Sequence, residues 1–324
     1  MGEFDLTRTG LANLGETNED TLALFRDQFV PYLITQFDAK RVIKPLVYNK
    51  TITKGKSASF PVFGKVGAKY FAVGDRAIGN QKFAKNEVTI YVDPILVTDV
   101  SLYDLDERMS ETADRAIIAD EMSRALANQE DKLLLQTGVL AARANANIVD
   151  GNAGSIIEAG SASTDAAVLA AAIYSAGVEL DVKNVPDEGR MCFVRPLQYS
   201  LLCQYENIAD KNIGGGSYEA GTTGTLNGIK IIKTNHLPDS YIDESEYDSL
   251  PNNTYYGDFR QTAALVMTPQ AIGTVTLHGV ITELSWDSKE FCHLLTARVA
   301  EGHSLLRPEC AVEIADTDIS TEDE

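Results

Sequence analysis

The spacing of apolar residues changes period several times along the chain, and each change marks an element. Leu22, Phe25, Phe29, Leu33 and Phe37 recur at helical spacing, one stripe of an amphipathic helix. Thr17-Asn-Glu-Asp20 ahead of them has the form of a capping box, whose side chains satisfy the first turn's amides. Pro31 removes a backbone donor inside the stretch and predicts a kink. Few apolar residues flank the stripe, so this segment reads as an arm lying on something else. From Thr51 the period becomes two. Ala58, Phe60 and Val62 alternate with Ser57, Ser59 and Pro61, and Val88, Ile90 and Val92 with Thr89, Tyr91 and Asp93. Both are strand patterns. Between them, residues 64–85 carry Gly64, Gly67, Gly74 and Gly79 and no apolar run long enough for a core. Two strands framing such an excursion predict a long, protruding β-hairpin, and loops this long usually serve function or contacts.

Helical spacing returns after Asp104 and Glu107, a second capping-box pair. It predicts a long helix over 113–135 with Ala116, Ile117, Ala125 and Leu133 facing inward. Residues 145–163, rich in Gly, Asn, Ala and Ser, read as a domain boundary. Asp165 starts a further helix to about Leu180, Met191 to Val194 is a short buried strand, and Pro196 opens a helix through Tyr205. The glycine-rich stretch 207–228 reads as a long loop. Strands follow at 229–233, 263–267, 274–285, 293–300 and 310–314, and the acidic tail after Ala315 reads as disordered. Helices with mostly antiparallel strands define an α+β fold.

Charge adds the most informative compositional fact. The 324 residues carry 28 Lys and Arg against 47 Asp and Glu, a net charge of -19. Yet residues 39–85 hold eleven bases against Asp75 alone, a net of +10, which leaves -29 for the remainder. The bases include Lys54, Lys56, Lys65, Lys69, Arg76, Lys82 and Lys85, interleaved with Phe60, Phe63, Tyr70, Phe71 and Phe83. A basic, aromatic hairpin suits a nucleic-acid arm, but the acidic body would repel a polyanion. The same hairpin fits the acidic surface of a sister subunit, and the hairpin residues just named are the candidate inter-subunit contacts, Phe83 supporting them. Cys192, Cys203, Cys292 and Cys310 form no CxxC pair and read as reduced, buried thiols. No stretch has the form of a signal peptide or membrane span.

Chemistry is scarce. Gly214-Gly-Gly-Ser217 is followed by Tyr218-Glu219, where a phosphate loop needs Lys-Ser/Thr and a nucleophile elbow needs glycine. Cys292, His293, His303 and Cys310 are metal-type ligands, but neighbours in a strand point to opposite faces. His236 and His278 have no catalytic partner pattern, and Asn49-Lys-Thr51 and Asn252-Asn-Thr254 are bare glycosylation sequons. The expectation is a protein with no catalytic, cofactor or metal residues.

Gly55-Lys-Ser-Ala58, Phe60-Pro-Val62, Gly64, Tyr70, Ala72 and Gly74 occur in that order. They are followed by Asp93 to Leu96, Thr98-Asp-Val100, Tyr103-Asp104, Arg190 to Pro196, Tyr199-Ser200 and Gly228 to Pro238. Gly273-Thr-Val275, Gly302-His303 and Leu306-Arg-Pro-Glu309 complete the series. The ordered set, over roughly 20–314, resembles the major capsid protein of short-tailed phages. The resemblance implies a Hong Kong 97-like fold: N-terminal arm 1–49, extended loop 50–93, peripheral domain 94–160 with 273–324, and axial domain 161–272. It implies self-assembly into hexamers and pentamers of an icosahedral head around double-stranded DNA. Scaffolding and portal proteins are the expected partners, with assembly in the bacterial cytoplasm and no membrane involved. Encapsulins share the fold and are the alternative. Lys54, Lys65 and Lys69 invite the inter-subunit crosslink of some relatives, but no partner motif accompanies them.

Overall fold

A computed structural model of the chain describes residues 33, 36–37, 40–64, 66–68, 70, 83–103, 114–149, 151–205, 225–246 and 252–318. Both capping boxes, the Pro31 kink, the Gly214–Ser217 loop, the tail beyond Asp318, and Lys65, Lys69, Phe71, Arg76 and Lys82 lie outside these residues. In chain order the strands are β1 (Tyr48–Thr51), β2 (Ser57–Phe63), β3 (Lys85–Tyr91), β4 (Leu96–Tyr103), β5 (Ser155–Glu158), β6 (Met191–Val194) and β7 (Thr225–Leu226). They continue as β8 (Ile229–Lys233), β9 (Tyr241–Ile242), β10 (Gly257–Asp258), β11 (Thr262–Met267), β12 (Ile272–Asp287), β13 (Cys292–Leu305) and β14 (Ala311–Ala315). The helices are α1 (Asp114–Arg143), α2 (Ala166–Val182) and α3 (Pro196–Gln204).

The chain forms two compact units, and α1, β12 and β13 contribute residues to each. In the unit of Met1–Arg41, Ile95–Gln129 and His278–Ala300, β4 pairs antiparallel with β13, from Cys292 opposite Tyr103 to Val299 opposite Leu96. Leu33 and Phe37, the end of the arm's stripe, join Leu102, Met122, Leu126 and Leu295 in its core. Leu33 and Phe37 are both buried there, as their spacing requires.

The other unit, Val42–Pro94, Glu130–Leu277 and Glu301–Glu324, is built on a six-stranded sheet in the order β5-β14-β11-β6-β8-β7. Strands β6 and β11 are buried at every position, which explains their unbroken apolar runs in place of alternation. β14–β5 and β6–β8 pair in parallel, whereas β11 is antiparallel to both its neighbours. Asp165 caps α2 by accepting from the Ala167 amide at 2.8 Å, and Gln198 accepts from the Arg195 amide at 3.1 Å at the start of α3. All four cysteines are buried and unbridged, and burial pushes the Cys192 thiol up to about 12.

Four sequence expectations change. The inward face of α1 is offset from the expected one: Ile117 and Ala125 are exposed, whereas Ala119, Met122, Leu126 and Ala127 are buried. Helix α1 runs on to Arg143 because Gly138 does not stop it. A Cβ there would come within 2.6 Å of Leu265 Cδ2, so glycine allows the helix to lie close on β11. The segment read as a boundary contains β5, which adds to the sheet edge beside β14. The tail is ordered past Ala315: the buried Asp316 carboxylate accepts from the amides of Ser161 and Ser163, each at 2.9 Å. Those bonds hold Ser161 at φ 63, a left-handed conformation that a serine adopts only under constraint.

Candidate functional site

The alternation over 57–62 and 88–93 becomes an isolated two-stranded antiparallel sheet of β2 and β3, with Ser57 opposite Tyr91 and Phe63 opposite Lys85. Ala58, Phe60, Val62 and Ile90 form its buried face. Its far end is exposed and aromatic. Phe63 and Phe83 stack at 5.7 Å between centroids, Lys85 Nζ lies 5.8 Å from the Phe63 ring, and Tyr70 is wholly exposed. Lys54, Lys56 and Lys85 are also exposed. Phe60 requires a correction: it is 4% exposed, edge-on to Tyr48 at 5.8 Å, with Lys50 Nζ 5.1 Å from its ring. It therefore anchors the hairpin within its own subunit and does not present a contact surface.

The root of the hairpin is fastened by residues to which sequence reasoning gave no such role. Asp93, just after β3, accepts from the amides of Asn252 at 2.8 Å and Asn253 at 3.1 Å, from Asn253 Nδ2 at 2.9 Å, and from the Tyr255 hydroxyl. Asn253 Nδ2 also reaches the Tyr91 carbonyl at 2.7 Å. Burial pushes the Asp93 carboxyl above its ordinary value despite these donors. Tyr255, fully buried, also accepts from the His303 amide at 2.9 Å. Two of the glycines quoted for the resemblance, Gly273 and Gly302, are close approaches at this root. A Cβ on Gly302 would lie 1.9 Å from the Tyr91 carbonyl oxygen, and one on Gly273 would lie 2.6 Å from Ile90 Cδ1. Asn252 and Asn253 had a visible signal, the sequon, but their use is as donors to a buried carboxylate.

Beneath the root lies a buried charged cluster. Glu130, Glu301 and His303 place one ligand atom each within 4.8 Å of one another. Among the described residues this is the one set with metal-like geometry. Its cation position is taken by the protein itself: Lys44 Nζ is 3.1 Å from Glu130 Oε1 and in direct contact with Glu301 Oε1. Burial pushes Glu301 up, but a hydrogen bond from Glu130 and the Lys44 charge outweigh it and hold the carboxyl low. Burial pushes His303 down to about 4, and its Nδ1 lies 3.0 Å from the Thr274 hydroxyl. The cluster is thus a neutral histidine beside an internal ion pair.

The other candidates separate. Cys292 is buried while His293 is half-buried and lies 4.8 Å from the Trp286 ring, on opposite sides of β13 as strand geometry requires. A cleft of about 320 Å³ is lined by Arg143, Glu158, Asp258, Gln261 and Glu313. The Arg143 guanidinium is held by both Glu313 oxygens at 2.6 Å, so the cation is matched internally.

A two-stranded basic hairpin, a long helix and a six-stranded mixed sheet together define a shell protein with the Hong Kong 97-like capsid fold. Residues 59–315 match the family model for the Gp10A-like major capsid protein, and the chain belongs to that family. It is similar to the major capsid protein of Enterobacteria phage T3, 26% identical over 334 residues, covering 92% of each chain. It is likewise 26% identical to the major capsid protein of Escherichia phage T7, covering 90% of this chain and 91% of that one. The capsid of cyanophage P-SCSP1u matches with a TM-score of 0.77 at 29% identity, covering 86% of this chain and 88% of the other. The protein is a phage major capsid protein, a structural component of the virion whose copies build an icosahedral head.

Proposed function

We propose that copies of this chain assemble as hexamers and pentamers around double-stranded DNA, joined by the basic hairpin lying on the acidic surface of the next subunit. The observation that carries this reading is the hairpin itself. It is a two-stranded sheet that pairs with no other strand, held to its own subunit by one face and its root while its tip is left exposed. Its exposed Phe63, Phe83 and Tyr70 offer apolar anchors, and Lys54, Lys56 and Lys85 offer the steering charge. Lys65, Lys69, Phe71, Arg76 and Lys82 extend the same chemistry in sequence. The -29 carried by the rest of the chain is the complementary surface, and it disfavours trapping DNA on the shell wall.

In domain terms the arm is 1–49, the extended loop 50–93, the peripheral domain 94–160 with 273–324, and the axial domain 161–272. The compact units of the folded chain divide differently, grouping the hairpin with the six-stranded sheet. The protein works without catalysis, takes part in assembly with scaffolding and portal proteins in the bacterial cytoplasm, and needs no cofactor or membrane. The test is Lys54→Glu with Lys56→Glu and Lys85→Glu. Exposed charges are screened beyond about 8 Å at physiological salt, so wild-type assembly slows as salt rises. The variant stays folded and closes shells at least about ten-fold more slowly. Shells forming at an unchanged rate remove the hairpin as connector. An encapsulin-like container is separated by content: nuclease-protected DNA in particles purified from infected cells supports the head, and protein cargo supports the container.

A further inference from the structure

Helix α2 has two apolar faces. Leu169, Ala170, Ile173, Ala176 and Leu180 point into the core. Ala167, Ala171, Tyr174, Val178 and Val182 follow one another at spacings of four, three, four and four, and all five are exposed. Tyr174, Val178 and Val182 are 46%, 57% and 72% exposed, and Glu179 and Asp181 are the helix's only charged residues. A surface helix ordinarily turns a polar face outward, and one that is apolar all round belongs in an interior. We infer that the outward face of α2 is a contact between copies of this chain around each capsomer ring, seated on the α3–β8 side of the next copy. The inference rests on the capsid reading above and adds the surface that closes the ring.

Size argues for a second copy over a soluble partner. At 1.5 Å per residue the helix is about 25 Å long and the stripe about 10 Å wide, a few hundred Å². That is well under the roughly 800 Å² each partner buries in a stable two-chain complex. In a closed ring every subunit makes the contact twice, so a weak contact is multiplied by closure. Charge argues for the facing surface. Glu179 borders the stripe and Glu188 is exposed just beyond it. On the α3–β8 side, Leu197 is 68% exposed, and exposed Lys233 places Nζ 5.7 Å from the Tyr199 ring. An apolar stripe with an acidic border fits an apolar side chain beside a cation. A ring requires two different patches of this kind, one giving and one receiving.

The test is Val178→Lys with Val182→Lys. Lysine is a good helix former and a cation near a helix C-terminus is favourable, so the subunit keeps its melting temperature. Assembly, followed by light scattering and sedimentation in a buffer where the wild type forms shells, requires at least about ten-fold more protein, because the contact now buries unpaired cations. Normal shells from the pair overturn the ring contact while leaving the capsid reading intact. A wild type that forms no shell overturns that reading and the inference with it. A drop of several degrees in the melting of the unassembled variant also overturns the inference, because the stripe is then covered by its own chain. Glu179→Lys and Lys233→Glu each slow assembly, and together they restore it. Additive loss in the double variant overturns the pairing of these two faces.

Discussion

Strand β2 of the hairpin buries three of its seven residues, whereas β6 and β11 of the six-stranded sheet bury every residue. The hairpin pairs two strands and keeps its aromatics exposed at one end; the sheet pairs six and carries α2 against β5, β7 and β14. The sheet supplies its own order through apolar burial, worth roughly 25 cal/mol per Å². The hairpin buries Ala58, Phe60, Val62 and Ile90 and is fastened by Asp93, Asn252, Asn253 and Tyr255 at its root. One region is ordered by a broad apolar core, the other by a narrow buried face and a polar root.

The contrast breaks most severely at Lys44. Lys44→Met leaves Glu130 and Glu301 buried without their cation and costs about 3–5 kcal/mol, read by urea unfolding of the unassembled subunit. A loss under about 1 kcal/mol would mean that the cluster does not stabilise the fold. Next is the pH dependence from His303, which faces Glu301, Lys44 and Glu130. Its folded value is near 4, below the ordinary 6.5. Between those values the unfolded chain binds the proton and the native state does not, so stability falls as pH drops from 6.5 towards 4. The full window amounts to about 3 kcal/mol. Asp316, held low by backbone amides that outweigh its burial, loses stability in the same direction as pH falls through its folded value. His303→Gln flattens the slope between pH 6.5 and 4; an unchanged slope refutes the assignment to His303.

Smaller effects separate the regions themselves. Asp93→Ala strands the donors at the root and costs about 1–3 kcal/mol. Hydrogen exchange should quicken at residues 86–92 and stay unchanged in β6 and β11. Uniform acceleration would show that root and sheet unfold as one. Smallest in the isolated subunit is Phe63→Ser with Phe83→Ser, within about 0.5 kcal/mol because both rings are already exposed. The same pair should impair shell closure, and normal closure would remove the hairpin tip from the interface.

The alternation over 57–62 and 88–93 was enough to suggest the hairpin pairing, because period two leaves one face to bury and one to expose. The helical stripe likewise foretold the burial of Leu33 and Phe37. Local pattern misjudged Phe60, since alternation says which face is buried but not whether that face meets its own subunit or another. It also missed α1 beyond Leu135, where Gly138 looks like a helix end until β11 is seen beside it. Asp93 and Asn253 are hydrogen-bonded across 160 positions of sequence, and nothing periodic links them. Lys44 and Glu301 stand 257 positions apart. Sequence by itself determined the main helices and the strands of the hairpin and of the buried sheet core, because those follow from neighbours a few residues away. Only the tertiary structure decided which buried charges meet, where glycine lets backbones touch, and that α2 keeps a second apolar face uncovered, because these depend on segments brought together by folding.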